Sequence, residues 1–220
     1  MSNGLNNIKI YHIIHVNRLE SILADGFLFC DAEISQRQNV GSMIGISTIK
    51  ERRLCKNLGS FPDLTVGQCV PFYFCPRSVM LYVIKCQNHP DLAYLNGQND
   101  IIHLVFDLQN VLNWAQDNHL RTCYTTSNAG SSYFDDYSNF SEIQNLIDWN
   151  AVNSTRWSGE GIDKNVKENK QAEFLIENKI PVSLIEFIGV YNLQNYNNVN
   201  TILSKHGVSY KVEQKRDWYY

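Results

Sequence analysis

Apolar and polar residues alternate along this chain in patterns that predict short strands and short helices. The first apolar run, residues 8–14, is rich in isoleucine and predicts a strand. Asn17 and Glu20 then have the spacing of a helix capping box, and Gly26 lies where such a helix would end. The chain is therefore expected to open with a strand, a tight turn and a short helix.

Later segments repeat these patterns without a regular alternation of strand and helix. Further strands are predicted at residues 70–74, 101–107, 172–177, 184–191 and 208–212. Helices are predicted at residues 48–56, 108–117, 141–150 and 199–206. Residues 35–47 and 153–169 are expected to be loops, and residues 78–84 fit either a helix or a strand. This mixture predicts the α+β class with a mixed or antiparallel core.

The 220 residues, of which 44% are hydrophobic and 19% charged, have a globular composition and predict a single domain over residues 1–220. No apolar leader precedes residue 8 and no segment has the length of a membrane span, so a soluble cytoplasmic protein is expected. The six cysteines are scattered, which favours reduced thiols. Cys86 and His89 lack a second pair at metal-ligand spacing, and no metal is expected.

The net charge of −3 and the isoelectric point of about 6.1 argue against one class of function. Proteins that coat duplex DNA neutralise many phosphates and carry a large positive excess. Any contact with nucleic acid is therefore expected to be local and confined to a groove. The chain also contains neither a P-loop nor a G-x-G-x-x-G pattern, so a bound nucleotide would not rest on a Rossmann turn.

Three places carry residues suited to chemistry, and each also has a purely structural interpretation. His12 and His15 flank the end of the first strand, where one could bind a ligand or the two could be a core and a surface histidine. Arg52 and Arg53 have donors that match pyrophosphate and carboxylate oxygens, although adjacent arginines are often only solvated. Glu173 enters a predicted strand after a long loop and could project into a cleft, or belong to a polar edge strand.

Five segments are distinctive when they are taken together. They are YHIIH at residues 11–15, IKERR at 49–53, VPFYFCPRSVMLY at 70–82, KQAEFL at 170–175 and RDWYY at 216–220. This set resembles the DarT family of bacterial toxins, which ADP-ribosylate thymine in single-stranded DNA. The segment at residues 70–82 is highly specific, and the shared features extend over nearly the whole chain.

The resemblance implies an ADP-ribosyltransferase-like fold, a split β-sandwich with flanking short helices that binds NAD⁺ between its two sheets. It implies that His12, with the backbone of Ile13 and Ile14, binds the nicotinamide carboxamide. Ile14 stands where many members have threonine, so only a backbone contact is carried over there. Further residues are implied to line or cover the NAD⁺ pocket: Ser21, Phe29, Arg53 and the segment 36–53.

By the same resemblance Arg53 and Glu173 are the catalytic arginine and glutamate, with Arg52 as the alternative to its neighbour. The reaction would cleave the nicotinamide–ribose bond through a transition state that resembles an oxocarbenium ion. Glu173 would orient the ribose and stabilise the positive charge that develops on it. Arginine is a weak base at its usual pKa above about 12, so an orienting role for Arg53 is favoured over a proton-accepting one.

The expected acceptor is a thymine base in single-stranded DNA, because a base must be unstacked before it can act as a nucleophile. Residues 121–170 interleave aromatic and basic side chains, which suits stacking and contact with the DNA backbone. The DNA-contacting residues predicted in this stretch are Trp157, Asn128, Tyr133 and Lys170. Residues 125–128 read TTSN where family members often have Thr-Asp-x-His, so the base and its sequence context stay open.

The resemblance also implies a toxin that is opposed by a macrodomain antitoxin, which removes the ADP-ribose. Two other functions fit the same residues. One is a mono-ADP-ribosyltransferase that acts on RNA or protein, and the other is an inactive module that binds NAD⁺ or single-stranded DNA. Intact Arg53 and Glu173 favour an enzyme over an inactive module.

Overall fold

The computed structural model describes Leu5 and residues 7–220, whose strands and helices are short and interleaved. The strands in this part of the chain are β1 (Lys9–His15), β2 (Phe27–Phe29), β3 (Cys69–Tyr73), β4 (Ile101–Asp107), β5 (Thr122–Thr125), β6 (Asp136–Tyr137), β7 (Glu173–Glu177), β8 (Lys179–Pro181), β9 (Ile185–Val190) and β10 (Lys211–Gln214). The α-helices are α1 (Leu19–Asp25), α2 (Asp31–Ile34), α3 (Ser47–Cys55), α4 (Val79–Cys86), α5 (Leu108–Asp117), α6 (Ile143–Leu146), α7 (Trp149–Asn153), α8 (Lys164–Asn169) and α9 (Leu193–Lys205). None of the helices in this range has the length and apolar character needed to cross a membrane.

Within the described residues the strands form an eight-stranded sheet, in the order β10-β9-β4-β1-β3-β7-β5-β6, and a separate pair, β2 with β8. Neighbours in the large sheet are antiparallel except for β9 and β10, which are parallel. β1 pairs with β4, and β3 with β7, along their whole lengths, but β1 and β3 share only the pair Tyr11–Tyr73. The sheet is thus split into two halves that meet at one point, which confirms the predicted α+β class and mixed core.

The main hydrophobic core combines residues of α1, α5 and α9 with one face of the sheet. On that face the Phe72 ring contacts the rings of Phe106 and Phe174, with centroids 5.2 and 5.9 Å away. Phe174 belongs to this core, whereas the next residue, Leu175, belongs to a separate cluster. The alternation predicted for residues 172–177 is therefore confirmed, and it turns Glu173 away from the main core.

The predicted start of the first helix is wrong. Val16–Arg18 form a 3₁₀ turn before α1, so Asn17 is not the N-cap of the α-helix. The Asn17 amide instead exchanges two hydrogen bonds with Ser42, and Glu20 forms an ion pair with a lysine of α9. The helix ends as predicted, because Gly26 adopts the left-handed conformation, with φ 72°, that a glycine C-cap provides.

The polarity pattern also misses several short elements. It does not predict β2, β5, β6 or β8, and β2 and β8 pair only with each other across a long sequence separation. The predicted loop at 153–169 contains α8, which Asp163 caps by accepting from the Asn165 N–H. The ambiguous segment 78–84 is helical, because the Ser78 hydroxyl accepts from the Leu81 N–H.

His103 on β4 is buried beneath aromatic residues of the C-terminal segment. Its Nε2–H donates to the Pro76 carbonyl at 2.8 Å, and its ring contacts the rings of Trp218 and Tyr219. Burial lowers the pKa of His103 to about 4, so the ring is neutral in the folded protein at neutral pH. The contact region around His103 is therefore built for the uncharged imidazole.

We expect the free energy of unfolding to fall as the pH is lowered from 6.5 towards 4, because the unfolded chain then binds a proton at His103 that the folded chain excludes. One such histidine contributes a slope of at most about 1.4 kcal/mol per pH unit in that window. Denaturant unfolding of the wild type and of His103→Gln, followed by circular dichroism across this range, measures the slope. The variant should have the shallower slope, and equal slopes would contradict the assignment.

Candidate active site

A cleft of about 360 Å³ opens where β1 and β3 diverge beyond the Tyr11–Tyr73 pair. Its walls come from both halves of the sheet and from the helices α3 and α4. The segment 36–53, expected to cover an NAD⁺ pocket, contributes loop residues 44–46 and three residues of α3 to the lining. Phe29 of β2 also lines the cleft.

Arg53 and Glu173 form a buried ion pair in this cleft. The two guanidinium Nη atoms donate to the two carboxylate oxygens at 3.0 and 2.9 Å, and both residues are buried. Glu173 is the first residue of β7 and lies opposite Tyr73 in the sheet. Tyr11, Tyr73 and Glu173 thus form one row across three strands at the point where the halves separate. The fold brings together the two predicted catalytic residues, which are 120 positions apart in sequence.

The loop after β5 contacts the Glu173 carboxylate from another side. The Ala129 N–H donates to Glu173 Oε1 at 3.1 Å. The Thr125 hydroxyl accepts from the Glu173 N–H at 3.1 Å and donates to the Ser127 carbonyl, which ties the start of the loop to β7. A Cβ added at Gly130 would lie 2.7 Å from a side-chain carbon of α3, so glycine permits the close approach of this loop to the helix that carries the arginine.

The Arg53 guanidinium keeps its proton in this environment. Burial alone would lower its pKa, but the facing Glu173 carboxylate outweighs burial and holds the pKa above its usual value. Arg52, the alternative suggested by sequence, is exposed on α3 and does not line the cleft. The geometry therefore selects Arg53 as the partner of Glu173 and disfavours a proton-accepting role for its guanidinium.

His12 lines the cleft from β1. Its Nδ1–H donates to the Pro71 carbonyl at 2.7 Å, which requires a proton on Nδ1. Burial lowers the pKa of His12 to about 4, so at neutral pH the ring is uncharged and its Nε2 is an acceptor. His12 thus lines the cleft as a neutral imidazole with its proton on Nδ1.

The backbone of Ile13 is also open to the cleft. The Val16 N–H, just beyond the end of β1, donates to the carbonyl of Asp100. The backbone groups of Val16 therefore point towards the β4 side. In an antiparallel pair successive residues direct their N–H and C=O groups to alternate sides, so the even-numbered residues of β1 also point towards β4. Ile13, an odd-numbered residue, directs its groups the opposite way, where β3 has already diverged. One donor and one acceptor are thereby presented side by side, as a carboxamide requires.

The fold does not bring Ile14 or Ser21 to the cleft, although both were expected to contact NAD⁺. The Ile14 side chain is fully buried in the main core, and its backbone groups point to β4 by the same alternation. The Ser21 hydroxyl donates to the Arg18 carbonyl at 3.0 Å, within the first turn of α1. For Ile14 the reason is that backbone groups of successive residues of β1 point to opposite sides, and Ser21 lies on α1 beyond the strand. A contact of either residue with NAD⁺ stays a prediction.

Several charged residues of the cleft have no distinctive sequence signal. Asp31, the first residue of α2, pairs with Lys50 of α3 at 2.5 Å. Burial would raise the pKa of Asp31, but Lys50 holds it below its usual value. Arg18, which follows β1, lines the same wall. These residues belong to separate elements, so only the folded chain reveals that they are neighbours.

Of the four predicted DNA-contacting residues, Asn128 lines the cleft and Tyr133 is on the surface. Asn128 Oδ1 accepts from the Gly130 N–H at 2.6 Å, and Nδ2 donates to Gln171 at 2.9 Å. Tyr133 is on the surface beyond the same loop and is 92% exposed. The Lys56 ammonium lies 6.0 Å from the centre of the Tyr133 ring. An exposed aromatic ring and a cation therefore lie next to each other on the segment that follows Asn128 and on the end of α3.

Trp157 and Lys170, by contrast, are interior residues. The Trp157 Nε1–H donates to the Tyr220 hydroxyl at 2.9 Å, and its ring contacts that of Tyr82 at 5.1 Å. The Lys170 ammonium donates to the Val152 carbonyl at 2.8 Å. Both residues are at most 5% exposed, so neither presents a ring face or a charge to DNA. The sequence alone does not show which of the interleaved aromatic and basic side chains face outwards.

Comparison with known proteins agrees with this geometry. The chain matches the family described as "ssDNA thymidine ADP-ribosyltransferase, DarT" over residues 11–220. A DNA ADP-ribosyl transferase of Thermus aquaticus is 33% identical over 213 residues, which span 96% of this chain and 88% of that protein. The family match includes every residue that lines the cleft.

Solved structures of DarT from Thermus sp. 2.9 have the same fold. The structure in complex with ADP-ribosylated single-stranded DNA has a TM-score of 0.84 at 32% identity, covering 97% of this chain and 96% of that one. The structure in complex with NAD⁺ has a TM-score of 0.80 at 29% identity, covering 98% of each chain. These matches confirm the predicted ADP-ribosyltransferase-like fold. The chain therefore belongs to the DarT family of single-stranded DNA thymidine ADP-ribosyltransferases.

Proposed function

We propose that this protein transfers ADP-ribose from NAD⁺ to a thymine base of single-stranded DNA. The family match, and the relatives solved with NAD⁺ and with ADP-ribosylated DNA, support both substrates. The observation that carries the proposal is the buried Arg53–Glu173 pair in the cleft. A preorganised carboxylate is the group needed to orient a ribose and to stabilise a cation that develops on it.

The nicotinamide end of NAD⁺ fits the β1 wall of the cleft. The N–H and C=O of Ile13 can bond to the carboxamide oxygen and amide at the same time, as a partner strand would. The neutral His12 ring avoids the repulsion that a cation would exert on the positively charged pyridinium. Binding at these two residues directs the nicotinamide–ribose bond towards Glu173.

Glu173 has one acceptor position left for the substrate. Oε1 accepts from Arg53 and Ala129, and Oε2 accepts only from Arg53 among the described residues. A carboxylate has about four lone-pair positions, so the remaining one on Oε2 can accept a ribose hydroxyl. As the nicotinamide–ribose bond breaks, nicotinamide leaves as a neutral molecule and positive charge grows on the sugar beside the carboxylate. Glu173 thus orients the ribose and stabilises the transition state.

Arg53 fixes the orientation of Glu173 and approaches the acceptor base. Two of its five N–H donors bond to Glu173, which leaves others for the acceptor. The thymine ring nitrogen forms the new bond to the anomeric carbon of the ribose and loses its proton. Because the Arg53 guanidinium already holds its own proton, that proton passes to water rather than to the arginine.

We assign Asn128 and Tyr133 to the DNA side of the site. Asn128 has one Nδ2–H that bonds to no described residue and can donate to a base carbonyl. The exposed Tyr133 ring beside Lys56 suits stacking of a neighbouring base and contact with its phosphate. With a net charge of −3, the protein would hold DNA through such local contacts and not through a broad basic surface.

We further propose that the protein is a cytoplasmic toxin opposed by a macrodomain antitoxin. Its six cysteines are free thiols, as expected in a reducing compartment. The antitoxin follows from the family resemblance. A base that carries ADP-ribose on its ring nitrogen cannot form a normal base pair, so a cell that makes this modification needs a means of removing it.

We expect label from NAD⁺ to enter a thymine-containing single-stranded oligonucleotide and not the same sequence in a duplex, because extruding a paired base costs on the order of a few kcal/mol. Single-stranded RNA and a protein mixture, assayed in parallel, test the alternative acceptors. An oligonucleotide without thymine is the control for the base. Equal labelling of the duplex, or stronger labelling of RNA or protein, would contradict the proposal.

Glu173→Gln should lower the turnover number by about 100- to 1,000-fold while NAD⁺ still binds, because the carboxylate acts where charge develops in the transition state. Glu177→Gln is the matched control, since Glu177 is on the same strand face but bonds to Arg121 outside the cleft. Rates at saturating NAD⁺ and dissociation constants are measured for both variants, with circular dichroism as the check on folding. Near-normal turnover of Glu173→Gln, or a loss confined to the control, would refute the assignment.

Tyr133→Ala should weaken binding of a single-stranded oligonucleotide by about 1–3 kcal/mol, the range for loss of one stacked base, and leave NAD⁺ affinity unchanged. Fluorescence anisotropy with a labelled oligonucleotide measures the effect. Tyr196→Ala is the control, because Tyr196 is an exposed tyrosine of α9 that does not line the cleft. If both variants bind the oligonucleotide equally well, Tyr133 has no stacking role.

A further inference from the structure

Arg18 is a buried cation in the cleft wall that forms no ion pair with the described residues. It is only 6% exposed, it lines the cleft, and its Nε has no hydrogen-bond partner in the described part of the chain. The neighbouring cations of the same wall are paired, Lys50 with Asp31 and Arg53 with Glu173. Lys167, which also lines the cleft, is exposed to solvent, so Arg18 is the buried cation of the described lining that lacks an ion pair.

The loop at residues 35–46 holds Arg18 in place. A Cβ added at Gly41 would lie 2.9 Å from Arg18 Cγ, so the loop backbone packs directly on the arginine stem. Gly41 has a φ of 83°, a conformation that favours glycine. The side chain of Asn17, next to Arg18, exchanges two hydrogen bonds with Ser42, each 3.0 Å long. The side chain is thus positioned by packing, and the Asp31 carboxylate, which pairs with Lys50, attracts its charge from nearby.

The charges of this wall do not balance without a ligand. Burial lowers the pKa of Arg18, but arginine stays protonated in proteins. The Lys50–Asp31 and Arg53–Glu173 pairs are each neutral, which leaves the Arg18 charge in excess. A buried, unpaired charge is destabilising unless an anion joins it. NAD⁺ has one net negative charge, because its diphosphate has two negative charges and its pyridinium one positive charge.

We propose that Arg18 binds the diphosphate of NAD⁺. The inference rests on the function proposed above, in which nicotinamide lies at Ile13 and its ribose at Glu173. Arg18 ends the 3₁₀ turn that directly follows β1, so it extends the wall that contacts the nicotinamide. Its planar guanidinium has parallel N–H donors that match two phosphate oxygens. Arg18 is thus a positioning residue that fixes the part of NAD⁺ beyond the reacting bond.

Isothermal titration of the wild type and of Arg18→Gln with NAD⁺ and with ADP-ribose tests this contact. Both ligands should bind the variant about 10- to 100-fold more weakly, the range for losing hydrogen bonds to a charged group. Nicotinamide lacks the diphosphate and should bind both proteins equally. Arg216→Gln is the matched control, because it removes the same charge at an exposed position outside the cleft lining and should bind all three ligands normally.

Thermal unfolding separates this role from a structural one. Because Arg18 is buried without an ion pair among the described residues, Arg18→Gln should leave the Tm without ligand unchanged or higher, and reduce the rise in Tm that NAD⁺ produces. A lower Tm combined with unchanged affinity for NAD⁺ and ADP-ribose would overturn the inference and make Arg18 a packing residue. Failure of the wild type to bind NAD⁺ at all would instead refute the proposed function.

Discussion

The divergence of β1 from β3 is the constraint on which the rest of the structure depends. Each strand is fully paired on its outer side, with β4 and β7, but the two join each other only at Tyr11 and Tyr73. Backbone groups that lose a partner strand must bond to water or to a ligand. The split therefore creates the cleft and also an unpaired edge at Ile13 on its wall. Glu173 follows in the same row, so the reactive carboxylate and the carboxamide site are positioned by one junction.

Ion pairs attach α3 to the rest of the protein. Arg53 is the buried residue of this helix, which has no apolar stripe of the kind that usually packs a helix against a sheet. Its pair with Glu173 ties the helix to β7, and the pair of Lys50 with Asp31 ties it to α2. A buried pair is favourable only when further hydrogen bonds support it, and the Ala129 N–H supplies one of these to Glu173. The charges of the site are thus part of what holds its wall in position.

Local patterns predicted local features well. The alternation at residues 172–177 separated Glu173 from Phe174 correctly, and the strand and helix over residues 101–117 were predicted with the bounds that β4 and α5 have. Features that depend on distant partners were not predictable. Asn17 bonds to a loop 25 positions away instead of capping a helix, and the Trp157 indole is buried by a tyrosine 63 positions away. Arg18 gave no signal, because a lone arginine near a helix start is usually solvated.

The contact that Ile13 offers is made by main-chain atoms, which every residue except proline possesses. Replacement of the side chain would leave that donor and acceptor in place, so any loss caused by a substitution there would come from the packing of the buried Ile13 side chain and not from the contact itself. Across related sequences, selection for this contact would act on the path of the backbone, and selection on the residue type would act through the core. Recognition of the carboxamide at Ile13 depends on where the pairing of β1 with β3 stops, which is at the pair Tyr11–Tyr73.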